Sequence, residues 1–255
     1  MHGEKEQKCL DFVKEKIKFE KYYGFSENDI LEFEACLNSA KANTKASEFP
    51  DFICDDGFIE HFQISSGKLT KKGSEHLKDI NLHKNNINNI LENDIKNNNI
   101  KPRTFKFKYN LHSYENLIAS LEISWNSHLK SLDKYNIEKS SKGIFMIQYT
   151  DAAITMCENP FANIKKGLIF ADLIEQKYID YYSLCRDKRA LDFIYKSKNK
   201  IHYVVYVYNN GIEVLNTNNI PEIKKLLPWD YCIAAYLGTI TTDTYIPKCE
   251  DNKNE

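Results

Sequence analysis

FPDFICDDGFIEHFQISSGK, Phe49–Lys68, is the stretch whose reading decides the fold. Asp55, Asp56 and Gly57 supply turn chemistry, and Phe52, Ile53, Phe58, Ile59, Phe62 and Ile64 supply strand-forming apolar flanks, so the stretch predicts a β-hairpin. A two-residue turn at Asp55-Asp56 or at Asp56-Gly57 sets Asp51 opposite Glu60 or on the diagonal from it, with both carboxylates on one face of the sheet. A three-residue turn puts them on opposite faces.

Two carboxylates held close together in a partly covered site repel each other and lose hydration, which is costly unless a cation lies between them. A hard divalent ion such as Mg²⁺ is the natural partner, because it takes few carboxylate oxygens and keeps several waters. That is the pattern of a phosphodiesterase-type site. The plainer alternative makes Asp51 a strand-start residue after Pro50 and Glu60 a solvated strand residue.

On the N-terminal side, Leu10, Val13 and Ile17 form an apolar stripe from about Glu4 to Tyr23 that stops at Gly24, the pattern of an amphipathic helix with a glycine stop. Ser26 and Asp29 resemble a capping box and open a second helix to about Ala42, with Ile30, Phe33, Leu37 and Ala40 as its core stripe. Glu34 falls inside that stripe. The helix therefore aims a carboxylate inward, where it needs a partner, unless it sits at the stripe's edge and pairs with a lysine.

On the C-terminal side, Ser65-Ser66-Gly67-Lys68 and Lys71-Lys72-Gly73 read as a basic loop close to the hairpin, which makes Lys68, Lys71 and Lys72 candidates for phosphate contacts. A helix is expected from Ser74. The Asn-rich stretch from Asn81 to Lys101 repeats Ile87, Ile90, Leu91 and Ile95 at helical spacing and marks a soft boundary. Thr104–Tyr109 (TFKFKY) alternates aromatic residues with lysine, which suits an edge strand guarded by lysines or, with Lys101 and Arg103, a surface for phosphates and bases. Ser113 to Leu132 reads as a helix, and GIFMIQY (Gly143–Tyr149) as a strand covered on both faces. Helical patterns recur over Phe161–Tyr178 and Tyr182–Tyr195. His202–Tyr208, Asn209-Asn210-Gly211 and Ile212–Asn216 spell a second hairpin, and Pro221 opens a short helix to Leu227. The apolar segment Tyr231–Gly238 is left open between helix and strand, and no internal repeat is evident.

At 255 residues the chain is long enough for one large domain or two small ones. Its 16 Tyr and 14 Phe exclude a disordered chain, and a formal charge of −1 requires any nucleic-acid contact to come from a local basic patch. Seven scattered cysteines with no Cys-x-x-Cys pair argue against a disulfide framework or structural zinc and for a reducing cytoplasm. The N-terminal HGEKEQK carries no signal-peptide core, and no run approaches ~20 apolar residues, so no membrane association is expected.

The order of elements, a helix with Glu34, a strand with Pro50-Asp51, a strand with Glu60, a helix near 113–132 and a buried strand at 143–149, resembles the core of the PD-(D/E)xK, or restriction-endonuclease-like, nuclease superfamily. The resemblance covers roughly residues 25–150. It implies an α/β fold with a mixed β-sheet flanked by helices, residues 1–150 forming the nuclease-like core. Residues 151–255 then form an additional α+β region that completes the sheet or mediates binding, unless the whole is one domain. It implies Glu34, Asp51 and Glu60 as ligands of Mg²⁺ (or Mn²⁺), and hydrolysis of nucleic acid, DNA above all, by an endonuclease of restriction or mobile-element type. Phe62 stands where the family has a lysine. Gln63, Lys68 or Lys130 would have to replace that lysine beside the catalytic pair Asp51 and Glu60, and Gln63 has the wrong strand parity unless a bulge intervenes. The alternative is a catalytically degenerate nuclease-like fold that binds nucleic acid or protein. The C-terminal third, free of catalytic motifs, leaves a target sequence, a partner or a second copy of the chain open as what it binds.

Overall fold

The structure, a computed structural model, describes every residue except 1–2, 20–21, 45–48, 71–72, 98–100, 109–110, 136–141, 152, 160–177, 180, 210, 228–229, 236–239 and 246–255. Helix α1 (Glu4–Lys16) leads to strand β1 (Tyr22–Tyr23), and α2 (Glu27–Ser39) to β2 (Lys41–Ala42) and the hairpin of β3 (Phe52–Cys54) and β4 (Gly57–Ile64). A small hairpin, β5 (Leu69–Thr70) with β6 (Gly73–Ser74), precedes α3 (Glu75–Lys96), β7 (Arg103–Lys108), α4 (Tyr114–Lys134) and β8 (Lys142–Tyr149). Then come β9 (Ile154–Asn159), β10 (Tyr178–Ile179), α5 (Lys188–Tyr195), β11 (Tyr203–Tyr208), β12 (Gly211–Asn216), α6 (Ile220–Leu226), β13 (Asp230–Ala235) and β14 (Ile240–Tyr245).

The fold is mixed α/β. A seven-stranded sheet runs in the order β1-β12-β11-β8-β4-β3-β2 and is flanked by helices. Its centre is parallel, since β8 lies parallel to both β4 and β11, while β3 and β12 return as antiparallel hairpin partners. Strands β11 and β12, from the C-terminal region, are thus bonded into the same sheet as the acidic hairpin.

Each face of this sheet has its own core. On one, Trp125 of α4 is fully buried against Phe62 and Phe145, and Leu191 of α5 and Ile223 of α6 join the same cluster. On the other, Leu10 and Val13 of α1 and Phe33 and Leu37 of α2 cover Ile59, Ile144, Met146 and Val205. Burial on both sides explains why β8 reads as an almost unbroken apolar run.

Several boundaries differ from the sequence reading. Helix α1 ends at Lys16, because the aromatic pair Tyr22-Tyr23 joins the sheet edge beside Val214 and Leu215 of β12. Gly24 therefore ends a strand and not a helix: its φ is 72°, and a Cβ there would lie 2.9 Å from Asn219 Cβ and Ile223 Cδ1. The capping box at Ser26 and Asp29 forms, but α2 stops at Ser39, since Lys41-Ala42 pairs with β3. The two helical patterns around residue 81 are one helix, α3, so no break falls there. Strand β7, Arg103–Lys108, pairs with β14 in a separate two-stranded sheet, and Tyr109 of the expected strand lies outside the described residues. Asp187 caps α5 through Arg189 N–H and Ala190 N–H, which shortens the expected Tyr182–Tyr195 helix. Asp230–Ala235 is a strand paired to β9. The helix expected over Phe161–Tyr178 lies outside the described residues up to 177, and Tyr178 itself is in β10.

Candidate functional site

The acidic hairpin turns on Asp55-Asp56. Cys54 pairs with Gly57 and Phe52 with Ile59, so the register continued by one residue sets Asp51 directly opposite Glu60. Gly57 is required there because a Cβ would run into the carbonyl of Lys142 on β8. Asp51 N–H donates to Glu60 Oε2 at 3.0 Å, and His61 N–H donates to Asp51 Oδ2 at 2.8 Å. The second Glu60 oxygen lies 2.6 Å from Nδ1 of His128, which projects from α4, and Glu60 is only 6% exposed. Burial, reinforced by the neighbouring Glu60, pushes the Asp51 carboxyl up to about 7. Phe62, where the resemblance leads one to expect a lysine, stacks on the His128 ring with centroids 4.8 Å apart.

The other expected partners lie elsewhere. Glu34 stays on α2, which packs on the opposite face of the sheet from α4, and it accepts from Tyr22 O–H at 2.7 Å. The carboxylate is half-buried, at the edge of the α2 stripe with a tyrosine and not a lysine as its partner, and the sequence cannot say against which sheet face the helix docks. Lys68 is exposed and follows a turn pinned elsewhere; no hydrogen bond or ion pair joins it to Asp51 or Glu60 among the described residues. Lys130 is exposed on α4. Lys71 and Lys72 lie outside the described residues. Gln63 keeps strand parity, with no bulge in the β4–β8 register, and so faces away from Glu60.

Magnesium or manganese does not fit this donor set as it stands. Both Glu60 oxygens and one of Asp51 already accept from protein donors, the third acid is across the sheet, and no group of three or more His, Cys, Asp or Glu among the described residues is arranged to hold a metal.

On the α1 side of the sheet a different set of groups comes together. Gln63 of β4 and Gln148 of β8 are in register, and Gln63 Nε2 donates to Gln148 Oε1 at 2.8 Å. His61 Nε2 reaches the same oxygen at 3.3 Å. A carbonyl oxygen only accepts, so the imidazole proton sits on Nε2, in keeping with burial holding this histidine below its usual value. Gln63 and Gln148 floor a cleft of about 420 Å³ at the carboxyl ends of the parallel strands, with Asn209 after β11 on its rim and Lys5, Lys8 and Phe12 of α1 as its wall. Residues 5, 8 and 12 recur at helical spacing, the only trace of this cleft in the sequence. The Gln63–Gln148 pairing joins positions 85 residues apart and leaves no local signal.

A third polar cluster lies between the same strand ends. Asp151 accepts from Ser65 Oγ at 2.6 Å and from Ser66 N–H at 3.1 Å, and it also pairs with Ser66 Oγ, which in turn lies 2.9 Å from His112 Nδ1. Burial alone would raise this carboxyl, but hydrogen bonds from His112, Ser65 and Ser66 carry it down to about 2. Ser, His and Asp are all at most 5% exposed, and Ser66 bridges the other two, so the set clamps the turn after β4 and offers no nucleophile to a substrate.

No protein-family model, curated protein or solved structure matches the chain. The chemistry of the site alone carries the functional reading. Among the described residues no helix is long and apolar enough to cross a membrane.

Proposed function

We propose that the protein is a nucleic-acid-binding module with a nuclease-like arrangement of elements, which does not cleave phosphodiesters at its hairpin acids. The observation that carries this reading is the contrast in lining: the acids face protein donors and α4, whereas the ligand-sized cleft sets the ammonium groups of Lys5 and Lys8 and the amides of Gln63, Gln148 and Asn209 around the apolar Cys9, Phe12 and Val207. Sites of about 300–1,000 Å³ with a few convergent polar groups at strand carboxyl ends are where open α/β sheets hold ligands. Ammonium groups favour phosphate, and side-chain amides favour base edges.

Fluorescent single-stranded and duplex oligonucleotides in a gel shift, with supercoiled plasmid plus Mg²⁺ or Mn²⁺ in parallel, test the proposal. Binding that weakens as salt rises, with the plasmid left intact, is the expected result. Nicking that is lost in Asp51→Asn would make the protein a hydrolase, and absence of any nucleic-acid binding would remove the module reading.

A further inference from the structure

We infer that the cleft between α1 and the carboxyl ends of β4, β8 and β11 holds a single nucleotide unit, its base edge read by Gln63 and Gln148 and its phosphate met by Lys5 and Lys8. The choice of ligand class rests on the proposed function; the location of the site does not.

The amide pair supplies the recognition element. Gln148 Oε1 takes protons from both Gln63 and His61, which fixes the orientation of the two amides. That leaves the Gln148 amino group as a donor and Gln63 Oε1 as an acceptor, neither engaged by another protein group among the described residues. Both side chains are partly exposed at the floor of the cleft. A donor beside an acceptor is the complement of a nucleobase edge, where an amino or imino proton sits beside a ring nitrogen or carbonyl oxygen. Phe12 gives the wall an aromatic surface on which a base can lie.

The lysines lie one helical turn apart on the α1 wall, where a phosphate attached to such a base would emerge. Lys8 holds Glu4 at 2.9 Å, but both partners are well exposed, and a pair of this kind is weak enough to be exchanged for a phosphate. Asn209, held at φ 33°, puts a further amide at the rim.

The test is calorimetric titration of the full chain with the four common nucleoside 5′-monophosphates, with inorganic phosphate alone, and with a short single-stranded oligonucleotide. Saturable binding of at least one mononucleotide is expected, about tenfold weaker in Gln63→Leu and in the size-matched Gln148→Glu, and several-fold weaker with a flatter salt dependence in a Lys5→Ala, Lys8→Ala double variant. Far-ultraviolet circular dichroism confirms that each variant is folded. A mononucleotide that displaces the oligonucleotide identifies the unit as part of a strand, and one that binds without displacing it identifies a free nucleotide; either supports the site. The inference is overturned if no mononucleotide saturates the protein, if phosphate alone binds equally well, or if folded Gln63→Leu binds like the parent. Oligonucleotide binding that survives such a failure would leave the module reading standing with its contacts elsewhere.

Discussion

On the α4 side of β4, Glu60 has one oxygen on Asp51 N–H and the other on His128, and Phe62 stacks on that imidazole. On the α1 side, His61 and Gln63 converge on one oxygen of Gln148 and leave an amino group and a carbonyl turned toward a cleft. Both faces set polar groups into an otherwise apolar sheet, on alternate residues of one strand. They differ in what remains unused. A polar group fully matched within the protein holds the fold together, whereas one matched on only one side retains capacity for a ligand. By that measure the face that most resembles a catalytic centre is closed at Glu60 and keeps only one oxygen of half-buried Asp51 unmatched, whereas the face with no catalytic motif is open.

The largest expected effect comes from the clamp that fixes the strand end beneath both faces. Asp151→Ala removes the acceptor for Ser65, Ser66 and His112 in a site with almost no solvent, and a loss of about 4 kcal/mol is expected from chemical denaturation. The parent protein should show the matching pH signature. Its Asp151 carboxyl is held at about 2, below the ordinary 3.8, so the folded form releases a proton that the unfolded chain still binds. The resulting stability is complete above about pH 4 and is lost as pH falls toward 2, a change of roughly 2 kcal/mol. A flat profile across that window, absent in neither parent nor variant, would detach the clamp from the strand end.

Phe62→Lys strikes the comparison directly by placing on the closed face the lysine that the resemblance to PD-(D/E)xK nucleases leads one to expect there. Phe62 is 5% exposed and wedged among Trp125, Phe145 and His128, so the substitution removes aromatic packing and buries an ammonium. A destabilisation of roughly 3 kcal/mol with no plasmid nicking in Mg²⁺ is expected. Nicking gained by this variant alone would show that the acid face lacks only its lysine, and the two faces would exchange roles.

Local chemistry made much of this legible. The Asp-Asp-Gly turn and its alternating flanks contain the hairpin register as one of their options, Ser26 and Asp29 form the capping box they spell, and β11 and β12 pair antiparallel as the second hairpin reading expects. What stayed hidden is relational. Glu34 is half-buried beside the apolar stripe of α2, and the docking of that helix opposite α4 separates it from the hairpin acids. Gln63 looks like a lysine substitute of wrong parity until β8 arrives in parallel register and makes Gln148 its partner. No window of sequence contains either fact, because each depends on which distant element covers which face.

The smallest effect has the opposite sign and tests the closed face most sharply. Burial beside Glu60 lifts the Asp51 carboxyl to about 7 from an ordinary 3.8, so between pH 4 and 7 the folded chain keeps a proton that the unfolded chain has given up. Stability therefore falls as pH rises through that interval and levels off above it. Asp51→Asn carries no such charge and can still accept from His61 N–H. Since Asp51 retains some contact with solvent, its shift translates into only about 1 kcal/mol of gained stability at pH 8, fading to nothing at pH 4. Paired melts of parent and variant at the two pH values measure this difference. A variant less stable than the parent at pH 8 would mean that the carboxylate has a cationic partner there, which is the arrangement a metal-dependent hydrolase needs and a closed structural face lacks.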